Sequence, residues 1–152
     1  MLEISSDAPD LDLVDATGAP VRLRDHLEHS HVLLYFMRAT TCPVCVRHVR
    51  DLVRHADEYA ALSAQILVVV PEGLPVARAW AARQRLPFPV VTGTAGSAHE
   101  AVGLSRAVFG AMQQSGTIVI DRTGLVQYTK AATMPTAGYD RAALLRVLTA
   151  LE

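Results

Sequence analysis

HVLLYFMRATTCPVCVRHVR, residues 31–50, is the stretch that decides the fold. Its first seven residues form a continuous apolar run of strand length, which predicts a central strand covered on both faces. From Pro43 to about Ser63, Val46, Val49, Leu52, Val53, Ala56, Tyr59 and Ala60 recur near helical spacing. Arg47, Arg50, Arg54 and Asp57 fall largely between them, so an amphipathic helix is predicted over 43–63. At the junction stand Cys42 and Cys45, the only two cysteines of the chain. They lie at the carboxyl end of a buried strand, which in open α/β sheets is the usual edge for a site.

Working outward, LDLVDATGAPVRL within residues 9–23 alternates around Ala16-Thr17-Gly18 as a short N-terminal hairpin would. QILVVV, 65–70, predicts a second buried strand, broken by Pro71-Glu72-Gly73. A helix follows over Pro75–Gln84, with proline near its start where a missing amide hydrogen costs little. LPFPVVTG, 86–93, reads as a short strand and SAHEAVGL as weakly helical. GTIVID and LVQYTK, joined by Arg122-Thr123-Gly124, predict an antiparallel hairpin. A closing helix is expected over about 139–151, with Leu144, Leu145 and Leu148 on one face and Asp140 near its positive end. This order predicts an α/β fold: a central mixed sheet with helices on both sides, in a single domain spanning 1–152.

Composition narrows the function. At 152 residues, 51% hydrophobic and 19% charged, the chain suits one compact domain. Fourteen basic against 15 acidic residues give a net charge of -1, so neither nucleic acid nor an anionic membrane is expected as a partner. The opening MLEISSDAPD has no export-signal pattern, and no apolar run approaches the ~18 residues of a spanning helix. The expected location is cytoplasmic. In a reducing compartment a lone close pair of cysteines is redox-active or metal-binding rather than a structural staple.

If Pro43 takes the first helical position, Cys42 becomes the N-cap, and its sulfur faces the unpaired amides and positive end of the helix. Those groups favour thiolate, and such sites bring the reference value of ~8.5 down to ~3.5–7.5. Arg38 and Arg47 add to the effect if their side chains turn that way. Cys45 follows one turn later on roughly the same side, within reach of Cys42. A further step of four reaches Val49 on the buried stripe, so Cys45 is expected to be the more sheltered thiol. An outer thiol that attacks and an inner one that resolves make a reversible disulfide. Two competing readings are that both cysteines are small buried hydrophobes, or that Cys42, Cys45 and His48 begin a metal site. A closed zinc site wants four ligands and no fourth is evident nearby, so no metal and no cofactor is expected. His48 reads as a partly exposed helix residue or a modulator of thiol acidity. Trp80, His99, Phe109 and Met112 are candidates for an exposed patch, and equally ordinary core residues.

These segments together resemble the thioredoxin-like superfamily, and within it the peroxiredoxin-like or redoxin branch related to alkyl hydroperoxide reductase and thiol-specific antioxidant proteins. The likeness runs through APDLDLVDATGAPVRLRDH, HVLLYF, TTCPVC, QILVVVPE, RLPFPVVTG and GTIVIDRTGLVQY. FMRATTCPVC is similar to the F-x-R-x-x-x-C-P-x-C stretch of members that keep a thioredoxin-type pair. The resemblance implies a thioredoxin-like fold of peroxiredoxin type and an oxidoreductase, with Arg38, Thr41, Cys42 and Cys45 as the candidate site. It also leaves room for a homodimer.

Two departures shape the expectation. Typical peroxiredoxins read P-x-x-x-T-x-x-C, and counting from Phe36 puts Arg38 at the proline, Cys42 at the threonine and Cys45 at the peroxidatic cysteine. They also carry an arginine before the strand that GTIVID resembles, where Gln113, Gln114 and Ser115 stand here; Arg38 is the candidate replacement. Thioredoxins place a cis-proline before that strand, where this chain has Ser115-Gly116. The reading that leads is a thiol-disulfide oxidoreductase in which Cys42 attacks and Cys45 releases the product. It acts on a disulfide-containing protein or a small-molecule thiol or peroxide and is regenerated by an unidentified thiol electron donor. The alternative is a thiol-dependent peroxidase, with Cys45 by register or Cys42 by exposure forming the sulfenic acid. A third reading is a non-catalytic redox sensor or metal-clipped binding module.

Overall fold

The structure is a computed structural model that describes residues 1–107 and 112–152. Its strands are β1 (Leu13–Asp15), β2 (Pro20–Val21), β3 (His31–Phe36), β4 (Ala64–Val69), β5 (Val90–Gly93), β6 (Arg106–Ala107), β7 (Met112–Gln113), β8 (Ser115–Ile120) and β9 (Val126–Ala132). Its helices are α1 (Leu23–Leu27), α2 (Pro43–Arg54), α3 (Ala56–Ala61), α4 (Leu74–Gln84), α5 (Ala98–Ala101) and α6 (Arg141–Ala150).

All six residues of β3 are buried, and the period of two sends them to opposite faces of the sheet. Leu33 and Tyr35 join a core with Cys42, Cys45, Val49, Leu52, Leu144 and Leu148. Val32, Leu34 and Phe36 join a second core with Leu23, Ala98, Val102 and Leu104. Thus α2 and α6 cover one face, and α1 and α5 the other. The seven-stranded sheet runs β2-β1-β5-β4-β3-β8-β9. Strand β3 pairs in parallel with β4 and antiparallel with β8, so the sheet is mixed and β3 is central, as its unbroken apolar run predicts. The N-terminal hairpin forms too, and β1 pairs antiparallel with β5 at the far edge.

The structure corrects the single helix expected over 43–63. His55 leaves helical geometry, with φ -108° and ψ 17°, and divides α2 from α3. Its ring is drawn out between Glu58 at 2.6 Å and Arg141 at 2.7 Å. Beyond the break Tyr59 is fully buried, its hydroxyl 2.6 Å from that of Tyr139. Helix α1, the antiparallel pair β6 and β7 and a 3-10 turn at Pro135–Ala137 carry no periodic apolar signal and escape sequence reading. Of the two readings open for Trp80 and His99, exposed patch or core, the structure has the core, at 2% and 0% exposure. Met112 is half-buried, and Phe109 lies outside the described residues. Among the described residues no helix is long and apolar enough to cross a membrane.

Candidate active site

The chain leaves β3 at Phe36, crosses a short loop and enters α2 at Pro43. Cys42 is extended, with φ -76° and ψ 112°, and caps the helix: its Sγ accepts the Cys45 backbone N–H at 3.4 Å. Proline at the first helical position requires no amide partner, which is why the cap falls on the residue before it. Both cysteines are free thiols, Cys42 at 2% exposure and Cys45 at 0%. The outer thiol is therefore less open than its sequence position suggests.

The two thiols share one buried core but meet different surroundings. Burial pushes the Cys42 thiol up, and the Cys45 amide, the Cys45 thiol and the Arg38 guanidinium together outweigh it, so Cys42 ends below the ordinary thiol value. Burial pushes Cys45 up to about 11, against the Arg38 backbone N–H that its Sγ accepts at 3.3 Å and a hydrogen bond with Tyr35. The pair thus holds one thiol prone to ionise and one held protonated.

Arg38 is half-buried and reaches the Cys42 side, with Nη1 also donating to Met112 Sδ at 3.3 Å. Arg47, the other basic candidate, is exposed and acts on His48 rather than on Cys42. Thr41 is exposed, and no side-chain hydrogen bond joins it to the described residues. Its neighbour Thr40, which sequence reasoning passed over, is the buried one. Both its N–H, at 3.0 Å, and its Oγ1–H, at 2.7 Å, donate to Glu72 Oε2. The signal available in the sequence was VVVPE: an acid placed directly after a buried strand, at the sheet edge that carries the cysteines.

His48 turns away from the cysteines' metal-ligand register and pairs with Tyr35, Oη to Nδ1 at 2.8 Å. Among the described residues no group of three or more His, Cys, Asp or Glu side chains is placed to hold a metal. Where the sequence shows glutamine before β8, Gln113 Nε2 donates to the carbonyls of Leu104 at 3.0 Å and Ser105 at 3.3 Å. It is a backbone brace and brings no charge to the sulfurs. A pocket of about 290 Å³ lies at Arg38, walled also by Glu72, Ser97, Glu100, Arg106 and Gln113.

Comparison with known proteins follows the same lines. The AhpC/TSA family model matches residues 4–129. The chain is 26% identical over 132 residues to alkyl hydroperoxide reductase E of Mycobacterium tuberculosis, covering 86% of each chain. It is 26% identical over 120 residues to chloroplastic peroxiredoxin Q of Arabidopsis thaliana, covering 79% of this chain and 55% of that one. Among solved structures, peroxidoxin BcpB from Mycobacterium tuberculosis superposes with a TM-score of 0.85 at 23% identity, over 100% of this chain and 99% of that one. Mycobacterium tuberculosis AhpC does so at 0.80 and 20% identity, over 99% and 93%. These superpositions establish the thioredoxin-like fold of peroxiredoxin type.

Proposed function

We propose that this chain, which belongs to the AhpC/TSA family, is a thiol-dependent peroxidase in which Cys42 reduces a hydroperoxide and Cys45 resolves the product. The observation that carries this reading is the Cys42 sulfur capping α2 at 3.4 Å from the Cys45 amide with the Arg38 guanidinium beside it. Cys42 thiolate attacks the terminal oxygen of hydrogen peroxide or an alkyl hydroperoxide. An S–O bond forms, the O–O bond breaks, and water or alcohol leaves after taking a proton. Arg38 stands where charge builds on the departing oxygen and supplies the cation that Gln113 does not. Cys45 then attacks the Cys42 sulfur; an S–S bond forms, the S–O bond breaks and water leaves. A thiol electron donor returns the disulfide to the dithiol by exchange.

Disulfide exchange, which the cysteine spacing alone favours, becomes in this reading the regeneration half of the cycle. Family membership and the hydroperoxide-reducing relatives support peroxide as the oxidant, and the reading places the work in the cytoplasm. One observation favours a second assignment: counted from Phe36, Cys45 stands at the family's peroxidatic position. Peroxide consumption by Cys42→Ser and Cys45→Ser variants tests both. We expect C42S to consume none and C45S to consume one equivalent and stop as a sulfenic acid. The reverse pattern supports the register assignment. A parent protein that turns over disulfides yet meets peroxide no faster than a free thiol overturns the peroxidase.

A further inference from the structure

We infer that Tyr35 and His48 form a proton relay that carries the thiol proton of Cys45 out of the core as the Cys42–Cys45 disulfide closes, with His48 as the terminal base. This rests on the reading in which Cys42 attacks and Cys45 resolves. Cys45 is fully buried and protonated at neutrality, its thiol pushed up to about 11 first by burial. It must nevertheless lose that proton to attack the oxidised sulfur, and at 0% exposure bulk water does not reach it.

The Cys45 sulfur accepts the Arg38 N–H at 3.3 Å, stands one turn from the Cys42 thiol, and shares its buried core with Tyr35, whose hydroxyl favours its ionised form. The amide is a donor and takes no proton, and Cys42 is the electrophile. The tyrosine oxygen is left. Tyr35 is itself fully buried, and burial, then the nearby Cys45 charge, disfavours its ionisation. It can pass a proton on but not keep one, and its Oη lies 2.8 Å from His48 Nδ1.

His48 is the one link with a way out. It is half-buried and lines a pocket of about 590 Å³ open to solvent. Burial, aided by Arg47 and opposed by Asp51, holds the ring below its ordinary value, so it is neutral at pH 7 and ready to accept. From the other elements Tyr139 faces it, with ring centroids 5.3 Å apart. Lys130 of β9, Asp140 and Arg141 at the start of α6, and Arg54 of α2 line the same pocket. The relay uses the tautomer that carries its proton on Nε2 and accepts the tyrosine O–H at Nδ1.

In the step, the Cys45 sulfur bonds to the Cys42 sulfur and the Cys42 S–O bond breaks. The Cys45 proton passes to the Tyr35 oxygen as the tyrosine's own proton passes to His48 Nδ1. The departing hydroxide takes a proton and leaves as water, and the imidazolium releases its proton at the pocket. The sum is sulfenic acid plus thiol to disulfide plus water.

Rapid-quench mass spectrometry on the full chain separates sulfenic acid formation at Cys42 from disulfide closure, and the two phases are followed from pH ~5 to ~9 in the parent, Tyr35→Phe and His48→Gln. The relay requires the first phase to stay unchanged and closure to slow about 10²-fold in both variants. In the parent, closure falls as pH drops through the His48 value, and both variants lose that limb. Imidazole added to His48→Ala restores closure through the open pocket and does nothing for Tyr35→Phe. The two variants break different links, so loss of the fold in one leaves the other decisive. Closure at the parent rate with the parent pH profile in either folded variant overturns the relay alone. Sulfenic acid on Cys45 in the parent overturns the nucleophile assignment and the relay with it, and the first phase by itself reveals that case.

Discussion

Thr40→Val asks whether the loop between β3 and α2 is held from Glu72. Thr40 is buried, and two of its donors converge on one carboxylate oxygen, the N–H at 3.0 Å and the Oγ1–H at 2.7 Å. Valine keeps the side-chain volume and deletes only the hydroxyl donor. A hydrogen bond to a charged group contributes about 1.5–3 kcal/mol, so the unfolding free energy should fall by that much. In a chain of this length the melting midpoint should drop by about 3–12 °C. Arg38 and Cys42 sit two residues to either side of Thr40. A loosened loop should let the guanidinium stray and slow the alkylation of Cys42 at neutral pH. Thr40→Ser, which keeps the hydroxyl, should recover most of both effects. Urea unfolding at constant slope and iodoacetamide labelling by mass spectrometry read the two consequences separately. A T40V protein within about 0.5 kcal/mol of the parent refutes the clamp. A destabilised T40V whose Cys42 labels at the parent rate refutes its bearing on the sulfur.

Alkylation of the reduced protein should be confined to Cys42 near neutrality and fade as pH falls through its depressed value, while Cys45 stays silent until about pH 11; identical profiles for the two thiols contradict this. Arg38→Met should move the Cys42 profile to higher pH. His99, buried and held near 4 against 6.5, refuses a proton that the unfolded chain accepts. Its contribution to stability is therefore intact above 6.5 and lost as pH falls toward 4, a difference of about 3 kcal/mol. The unfolding free energy of His99→Gln should depend less on pH across that window, and a slope equal to the parent's rules the effect out. Gly116→Ala should destabilise β8, because a Cβ there meets the Lys130 carbonyl of the paired strand. A normal melting midpoint for that variant would show that β9 can shift to make room.

The fold was legible wherever the apolar period was long. HVLLYF and QILVVV announced buried central strands because both faces of β3 and β4 are covered, and the helix N-terminus followed from Pro43 behind a cap-forming residue. The misses depend on partners distant along the chain. His55 breaks the helix through contacts with Arg141, 86 residues away along the chain, and no window around 43–63 contains that partner. Thr41 entered the candidate site through the resemblance, whereas the buried partner is Thr40, fixed by Glu72 from the loop after β4. Tyr35 read as one more apolar residue of β3, and its hydroxyl acquires a role only once α2 sets His48 above it.

Cys42 and Cys45 are the same chemical group one turn apart, so sequence spacing cannot make them differ; their neighbours do. Cys42 sits outside the first turn, where the amide of Cys45 and the side chain of Arg38 both point at its sulfur. Cys45 sits inside that turn, pressed on Tyr35 beneath the helix. In the proposed reading, a thiol at the family's threonine position moves the reactive sulfur one turn toward the strand, and Arg38, four residues before it, moves the cation to the same loop. Gln113 is then free to brace the Leu104 and Ser105 carbonyls. In the proposed reading the unusual register and the missing arginine are thus one change, in which the reacting groups other than Cys45 are gathered onto the loop that Thr40 ties to Glu72.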